Sequence, residues 1–324
     1  MKRTIPAVLL AAPLLLLSTT ACEPGSSWAA QASRASHAHS SSAAPAPTTT
    51  TAAGSSAPST SSSSAAREST TSQSTTSQST TSQSRTSQST TRSVSATSTP
   101  AAAAPAPDRT CTDPVFTTSD PDGGWSDGGY YVHNNMWNQA EAGPETLHAC
   151  SFDNWYVDST QTDTTSVKTY PNVHKDINDL NGAPLSDYST ITSTFAGRGP
   201  ATGIYDVAYD IWLNGVGQQP GVTELMVWTE NHNQVPNGDK VATYTAGGVT
   251  YDVWYDGGGY LAFVAQTTQY SGNLDLKAMI GWAVGRGYIP PNPTVNQIGY
   301  GIEFCSTNGV PARFTLSGFS VTMN

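Results

Sequence analysis

Positive charge is scarce in this 324-residue chain: 14 Lys and Arg stand against 24 Asp and Glu, for a net charge of −10. The imbalance is sharper after residue 107, where eight basic residues face 22 acidic ones. A domain this acidic excludes nucleic acid and anionic membrane surfaces as partners, since both require clustered Lys and Arg. Cysteine is scarce too, with four in all. That is too few for a small disulfide-built scaffold, and no pair of Cys or His in residues 108–324 has the spacing of zinc ligands. No metal, nucleotide or other cofactor is expected. Long apolar runs are absent: the longest, residues 7–17, has eleven residues, whereas a membrane-spanning helix needs about 20. Residues 1–107 hold no Tyr, no Phe and one Trp, so this third of the chain has too little apolar surface to offset the entropy of ordering it.

What is present divides the chain in three. Met1-Lys2-Arg3 followed by the apolar run reads as a signal peptide over residues 1–21. Ser18-Thr19-Thr20-Ala21-Cys22 leaves two outcomes open. One is lipidation of Cys22, the chain's single route to a membrane, and the other is simple cleavage with release. Residues 22–107 form a Ser/Thr/Pro/Ala-rich linker without structure, and residues 70–89 are four copies of a Thr/Ser/Gln unit five residues long. Such a chain spans roughly 50 Å as a flexible tether. Residues 108–324 are one folded domain, expected to act as a monomer outside the cell. In an oxidising compartment Cys111 and Cys150 are its natural disulfide, which leaves Cys305 over.

Within the domain, short runs rich in Val, Ile, Tyr, Trp and Thr are punctuated by Gly, Asn, Asp and Pro. Runs 130–137, 204–213, 223–229, 249–255, 260–266, 297–305 and 313–322 predict an all-β sandwich or barrel. One stretch, from Leu274 to Val284, has helical spacing, with Ser271 or Asn273 as its cap and Gly287 as its end. Gly257-Gly258-Gly259 predicts a hairpin turn.

Alternation along the strands makes a chemical pattern. Glu224, Met226 and Trp228 share one face, with Leu225 and Val227 on the other. Asp206, Ala208, Asp210 and Trp212 share one face, and Tyr205, Val207, Tyr209 and Ile211 the opposite one. Glu303 stands opposite Ile302 and Phe304. A lone Glu on a strand is ordinarily a solvated residue. Glu is rare here, however, and two of the domain's five sit mid-strand among apolar and aromatic neighbours. Carboxylates beside indoles on one sheet face suit a sugar polymer: aromatic rings stack on pyranose faces, and paired carboxyls carry out acid–base and nucleophilic chemistry.

The motifs Tyr209-Asp210-Ile211-Trp212, Glu224-Leu225-Met226-Val227-Trp228 and Gly301-Ile302-Glu303-Phe304 resemble those of glycoside hydrolase family 12, a family of secreted β-1,4-endoglucanases and xyloglucanases. Val132-His133-Asn134-Asn135-Met136-Trp137, Val167-Lys168-Thr169-Tyr170-Pro171, Phe263-Val264-Ala265-Gln266 and the Cys111/Cys150 pair follow in matching positions, so the resemblance spans residues 108–324. It implies a β-jelly roll of two curved antiparallel sheets, one helix packed on the convex side, and an open cleft. It further implies Glu224 as nucleophile, Glu303 as general acid/base and Asp210 as a third carboxylate bonded to the nucleophile. Asn135 and Trp137 would line the cleft on the non-reducing side, Met226 and Trp228 would support the site, and Asp206 would sense substrate or the carboxylate network. Phe304-Cys305 and Val235-Pro236-Asn237-Gly238 depart from the family pattern beside the cleft and leave cellulose, mixed-linkage glucan and xyloglucan open as substrates. A non-catalytic carbohydrate-binding domain would need the aromatics but not the three carboxylates.

Overall fold

The computed structural model describes residues 109–324. The signal peptide, Cys22, the linker with its repeats and residue 108 lie outside the described residues.

Alternating hydrophobicity produces two sheets packed face to face, the β-jelly roll that the resemblance implies. The smaller has six strands in the order β1 (Phe116–Thr118), β4 (Glu145–Ser151), β5 (Asn154–Ser159), β16 (Ala312–Met323), β8 (Ile191–Arg198) and β14 (Ser271–Asp275). The larger runs β11 (Asp239–Ala246), β12 (Val249–Tyr255), β13 (Tyr260–Ala265), β10 (Thr223–His232), β9 (Ile204–Leu213), β15 (Thr294–Ser306), β6 (Asn172–Asp176), β3 (Tyr130–His133) and β2 (Gly124–Asp127), with the short β7 (Ala183–Pro184) beside β15. The strand expected over 130–137 stops at His133, because Asn135 takes a left-handed backbone conformation (φ 43°). Among the described strands the pairing is antiparallel with one exception. β10 and β13 run parallel, Glu224 opposite Tyr260 and Trp228 opposite Val264. The chain leaves β10 for the sheet edge, and two hairpins later β13 returns beside β10 in the same direction.

The core lies between the sheets. Tyr205, Val207, Tyr209, Ile211, Leu225 and Val227 point into it, as the period-two reading requires, and meet Phe195, Phe314, Leu316 and Phe319 from the smaller sheet. Cys111 and Cys150 are bonded, Cα atoms 5.6 Å apart, and tie the start of the domain to β4. The helix, α1 (Leu276–Gly285), buries Leu276, Met279, Ile280 and Ala283 in the same core and sets Trp282 against Tyr244 and Phe263. Its cap differs from expectation. Ser271 and Asn273 are committed to β14, pairing with β8, and Asp275 caps the helix by accepting from the Ala278 N–H at 2.9 Å. The Gly257–Gly259 turn joins β12 to β13. The Asp256 Oδ1 accepts from the N–H groups of Gly258, Gly259 and Tyr260, and Gly257 and Gly259 adopt positive φ.

Glu145 is a buried acid outside the cleft. Glu145 accepts from Thr169 Oγ1 (2.6 Å), Ser159 Oγ (2.9 Å) and Gln161 Nε2 (3.4 Å), yet burial outweighs these bonds and raises its pKa to about 7. Its unfolded value is near 4.5, so between these pH values the folded protein holds a proton that the unfolded chain has released. Stability therefore falls as pH rises through this window. Glu145→Gln is expected to match the wild type at pH 4 and exceed it at pH 8 by at most about 3 kcal/mol. Urea denaturation at the two pH values checks this, and a difference that does not change with pH would refute it.

Candidate active site

The second face of the larger sheet, turned away from the core, carries the acids. Register places them. On β9, Trp212 faces Glu224 of β10, and Asp210 faces Met226. On the other side of β9, Asp210 faces Gly299 of β15, and Asp206 faces Glu303. Glu224 and Glu303 thus flank β9 on one face, with Asp210 between them along the strand. Both border the same cleft. Gly301, two residues before Glu303, permits the close approach of β15 to the start of β6: a Cβ there would lie 2.3 Å from the Pro171 carbonyl oxygen.

Four carboxyls in one buried cluster cannot all ionise. Burial is the largest effect on each. It raises Glu303 to about 7, opposed by its neighbours Asp206 and Gln234. Burial and the charge of Glu303 raise Asp210 to about 8. Burial, then the charges of Asp210 and Glu303, raise Glu224 well above the carboxylate range, opposed by a hydrogen bond from Gln218. Asp206 is raised well above its usual range by burial and by Glu303. The four carboxyls therefore share protons near neutral pH rather than all ionising.

The supporting residues are laid out around it. Met226 Sδ accepts from Trp228 Nε1 and from the Tyr260 hydroxyl, each at 3.4 Å, and these side chains pack as a small apolar cluster with Ala208, Ala262 and Trp254. Asn135 and Trp137 line the cleft with Tyr131, His133 and His174. Trp228 lines its other half, with Tyr260 and Gln234. Asp210, expected to bond the nucleophile, instead takes the Trp212 side chain, and its Oδ1 has no hydrogen-bond partner. Asp206, assigned to substrate or to the carboxylate network, is wholly buried, borders no part of the cleft and stands among the carboxyls. Trp155 is core and His232 stacks on Tyr205, so neither faces the cleft. Cys305 is buried, and no described cysteine is a free thiol, so no reactive thiol is left over beside the site.

Sequence reasoning missed four neighbours of the carboxyls. Gln234 donates Nε2–H to Glu303 Oε2 at 2.8 Å from the segment that crosses between β10 and β11. Tyr170, its hydroxyl on the Ala208 carbonyl at 3.0 Å, borders the cleft beside Glu303. Gln218 and Tyr260 border Glu224. All but Tyr260 sit in irregular segments, where no periodicity marks a residue as facing the site.

The model of the glycosyl hydrolase family 12 matches residues 128–324. The xyloglucan-specific endo-β-1,4-glucanase A of Emericella nidulans is 26% identical over 212 residues, covering 61% of this chain and 87% of the relative. Endoglucanase S of Pectobacterium parmentieri is 27% identical over 207 residues, covering 56% and 77%. Among solved structures, endoglucanase Cel12A from Rhodothermus marinus is 27% identical and covers 64% of this chain and 99% of that one, with a TM-score of 0.55. The xyloglucanase domain of NopAA from Sinorhizobium fredii, in complex with cellobiose, is 28% identical and covers 65% and 100%, also at 0.55.

Proposed function

The chain belongs to glycosyl hydrolase family 12, and we propose that it is a secreted endo-β-1,4-glucanase that cleaves internal bonds of cellulose-type or mixed-linkage β-glucan with retention of configuration. The supporting observation is the placement of Glu224 and Glu303 on either side of β9 at one cleft, in a buried cluster whose carboxyls cannot all ionise. In the first step Glu224 attacks the anomeric carbon. The glycosidic C–O bond breaks, and Glu303 gives its proton to the departing oxygen. In the second step Glu303 takes a proton from water, the water oxygen attacks the same carbon, and the ester bond to Glu224 breaks. Two inversions return the β configuration. Asp210 lies between the two and supports the charge balance, with Trp212 holding its carboxyl. Asn135 and Trp137 bind the non-reducing side, and Met226, held by Tyr260 and Trp228, supports the nucleophile's strand.

Xyloglucan is a second reading, because the similar proteins include xyloglucan-specific enzymes from Emericella nidulans and Phytophthora sojae. Export rests on the leader at residues 1–21, with anchoring through Cys22 as its alternative outcome. Reducing-sugar release from carboxymethylcellulose, barley β-glucan and xyloglucan separates the substrates. Proton NMR during the first turnovers is expected to show the β-anomer before mutarotation, and α-anomer as the first product would overturn retention.

A further inference from the structure

Asp206 is a buried acid that the displacement steps above do not use. Its side chain is wholly buried, and neither carboxyl oxygen has a hydrogen-bond donor among the described residues. Its register partners are Glu303 on β15 and Asn231 on β10. The Asn231 side chain is engaged with the backbone of Gln234, donating Nδ2–H to its carbonyl and accepting its N–H. Asp210, Glu224, Tyr170 and Tyr260 are the other titratable groups near this cluster, and no Lys, Arg or His is among the groups acting on Asp206.

An ionised carboxylate without a donor in a buried site is strongly disfavoured, so Asp206 is neutral. A neutral carboxyl carries one O–H and needs an acceptor. Glu303 faces it, and Glu303 Oε2 is taken by Gln234, which leaves Oε1. We propose that Asp206 is a positioning residue for Glu303: it keeps its own proton through the working range and donates that O–H to the Glu303 carboxylate. This rests on the reading of Glu303 as the acid/base. A donor to the ionised form stabilises it, so Asp206 makes Glu303 a stronger acid and opposes the upward pull of burial. Gln234 acts in the same sense from the other side. The two bonds also fix the orientation of the Glu303 carboxyl, so that its proton is aimed at the cleft.

The test is the pH dependence of kcat/KM on soluble barley β-glucan for wild type, Asp206→Asn and Asp206→Ala. Asp206→Ala removes the donor, and its basic limb is expected to move up by about one pH unit. Asp206→Asn keeps an N–H donor of similar shape, and its limb is expected to stay close to the wild type's. A basic limb unchanged in Asp206→Ala would overturn the proposal. So would a downward shift, which would mean that Asp206 is ionised and had been raising Glu303 through its charge. Infrared spectroscopy covers the case in which the Ala variant fails to fold. At pH 7 the wild type is expected to show a protonated-carboxyl C=O band that Asp206→Asn lacks, and identical spectra in that region would overturn the proposal. Glu303→Gln is assayed alongside. Wild-type activity in that variant would overturn the acid/base assignment, while the infrared comparison would still decide the protonation of Asp206.

Discussion

Glu224→Gln is expected to lower kcat/KM on β-glucan by on the order of 10⁴-fold or more, and at the same time to raise the melting temperature at pH 7. The two effects have one origin. Glu224 is held in a buried cluster in which burial and the charges of Asp210 and Glu303 raise its pKa. The folded state therefore binds a proton that the unfolded chain, near 4.5, has already lost, and the group lowers stability as pH rises through that interval. Gln keeps the shape and hydrogen-bonding capacity, removes that cost, and removes the nucleophile. Activity falls and stability rises together, as where a fold maintains a reactive, unfavourable site. Calorimetry and initial rates on one preparation check the pair of effects. Retained activity would refute the nucleophile assignment, and lost activity with a lowered melting temperature would mark a folding defect instead.

Glu303→Ala is expected to slow hydrolysis of β-glucan by about 10²- to 10⁴-fold, the usual scale of general acid catalysis. The loss should depend on the leaving group. A glucan alcohol needs a proton as it departs, whereas a dinitrophenolate does not. The first step on a dinitrophenyl β-cellobioside should therefore be nearly spared, while its second step, which needs Glu303 as base, becomes limiting. Added azide needs no base. It should restore turnover of the aryl substrate and yield a β-glycosyl azide, with the azide nitrogen bonded to the carbon that Glu224 releases. Equal losses on polymer and aryl substrate, without azide rescue, would remove Glu303 from the acid/base role.

The legible part of this protein was the part written in neighbouring residues. Alternation alone sent Val207, Tyr209, Leu225 and Val227 to the core and Asp210, Glu224 and Met226 to the other face, and the register agrees. It worked because successive side chains on a strand point to opposite faces whatever the partner strand is. The helix was visible from its period, but its cap was misplaced. Asp275 and the strand that ends on it are distinguished only by the pairing of β14 with β8. Gln234 carried no local signal and Tyr170 stood in a matched motif without a role, since they reach the cleft from a crossover and a loop.

Glu145 and Asp206 show the same division more strongly. Both are acids on strands, and alternation cannot separate a solvated carboxyl from a buried one. Glu145 is buried because Thr169 closes over it from a segment bridged to Phe304. Asp206 is buried because Glu303, 97 positions away, stands across from it. The sequence by itself determined the strand-rich domain, the face on which each acid stands, and the kind of chemistry those acids can perform. These follow from backbone geometry and side-chain composition within a few residues. Only the tertiary structure decided which acids share a site, which are dry, and therefore which hold protons near neutral pH. Desolvation and charge repulsion act through space, between strands whose pairing is set by the packing of the whole sandwich.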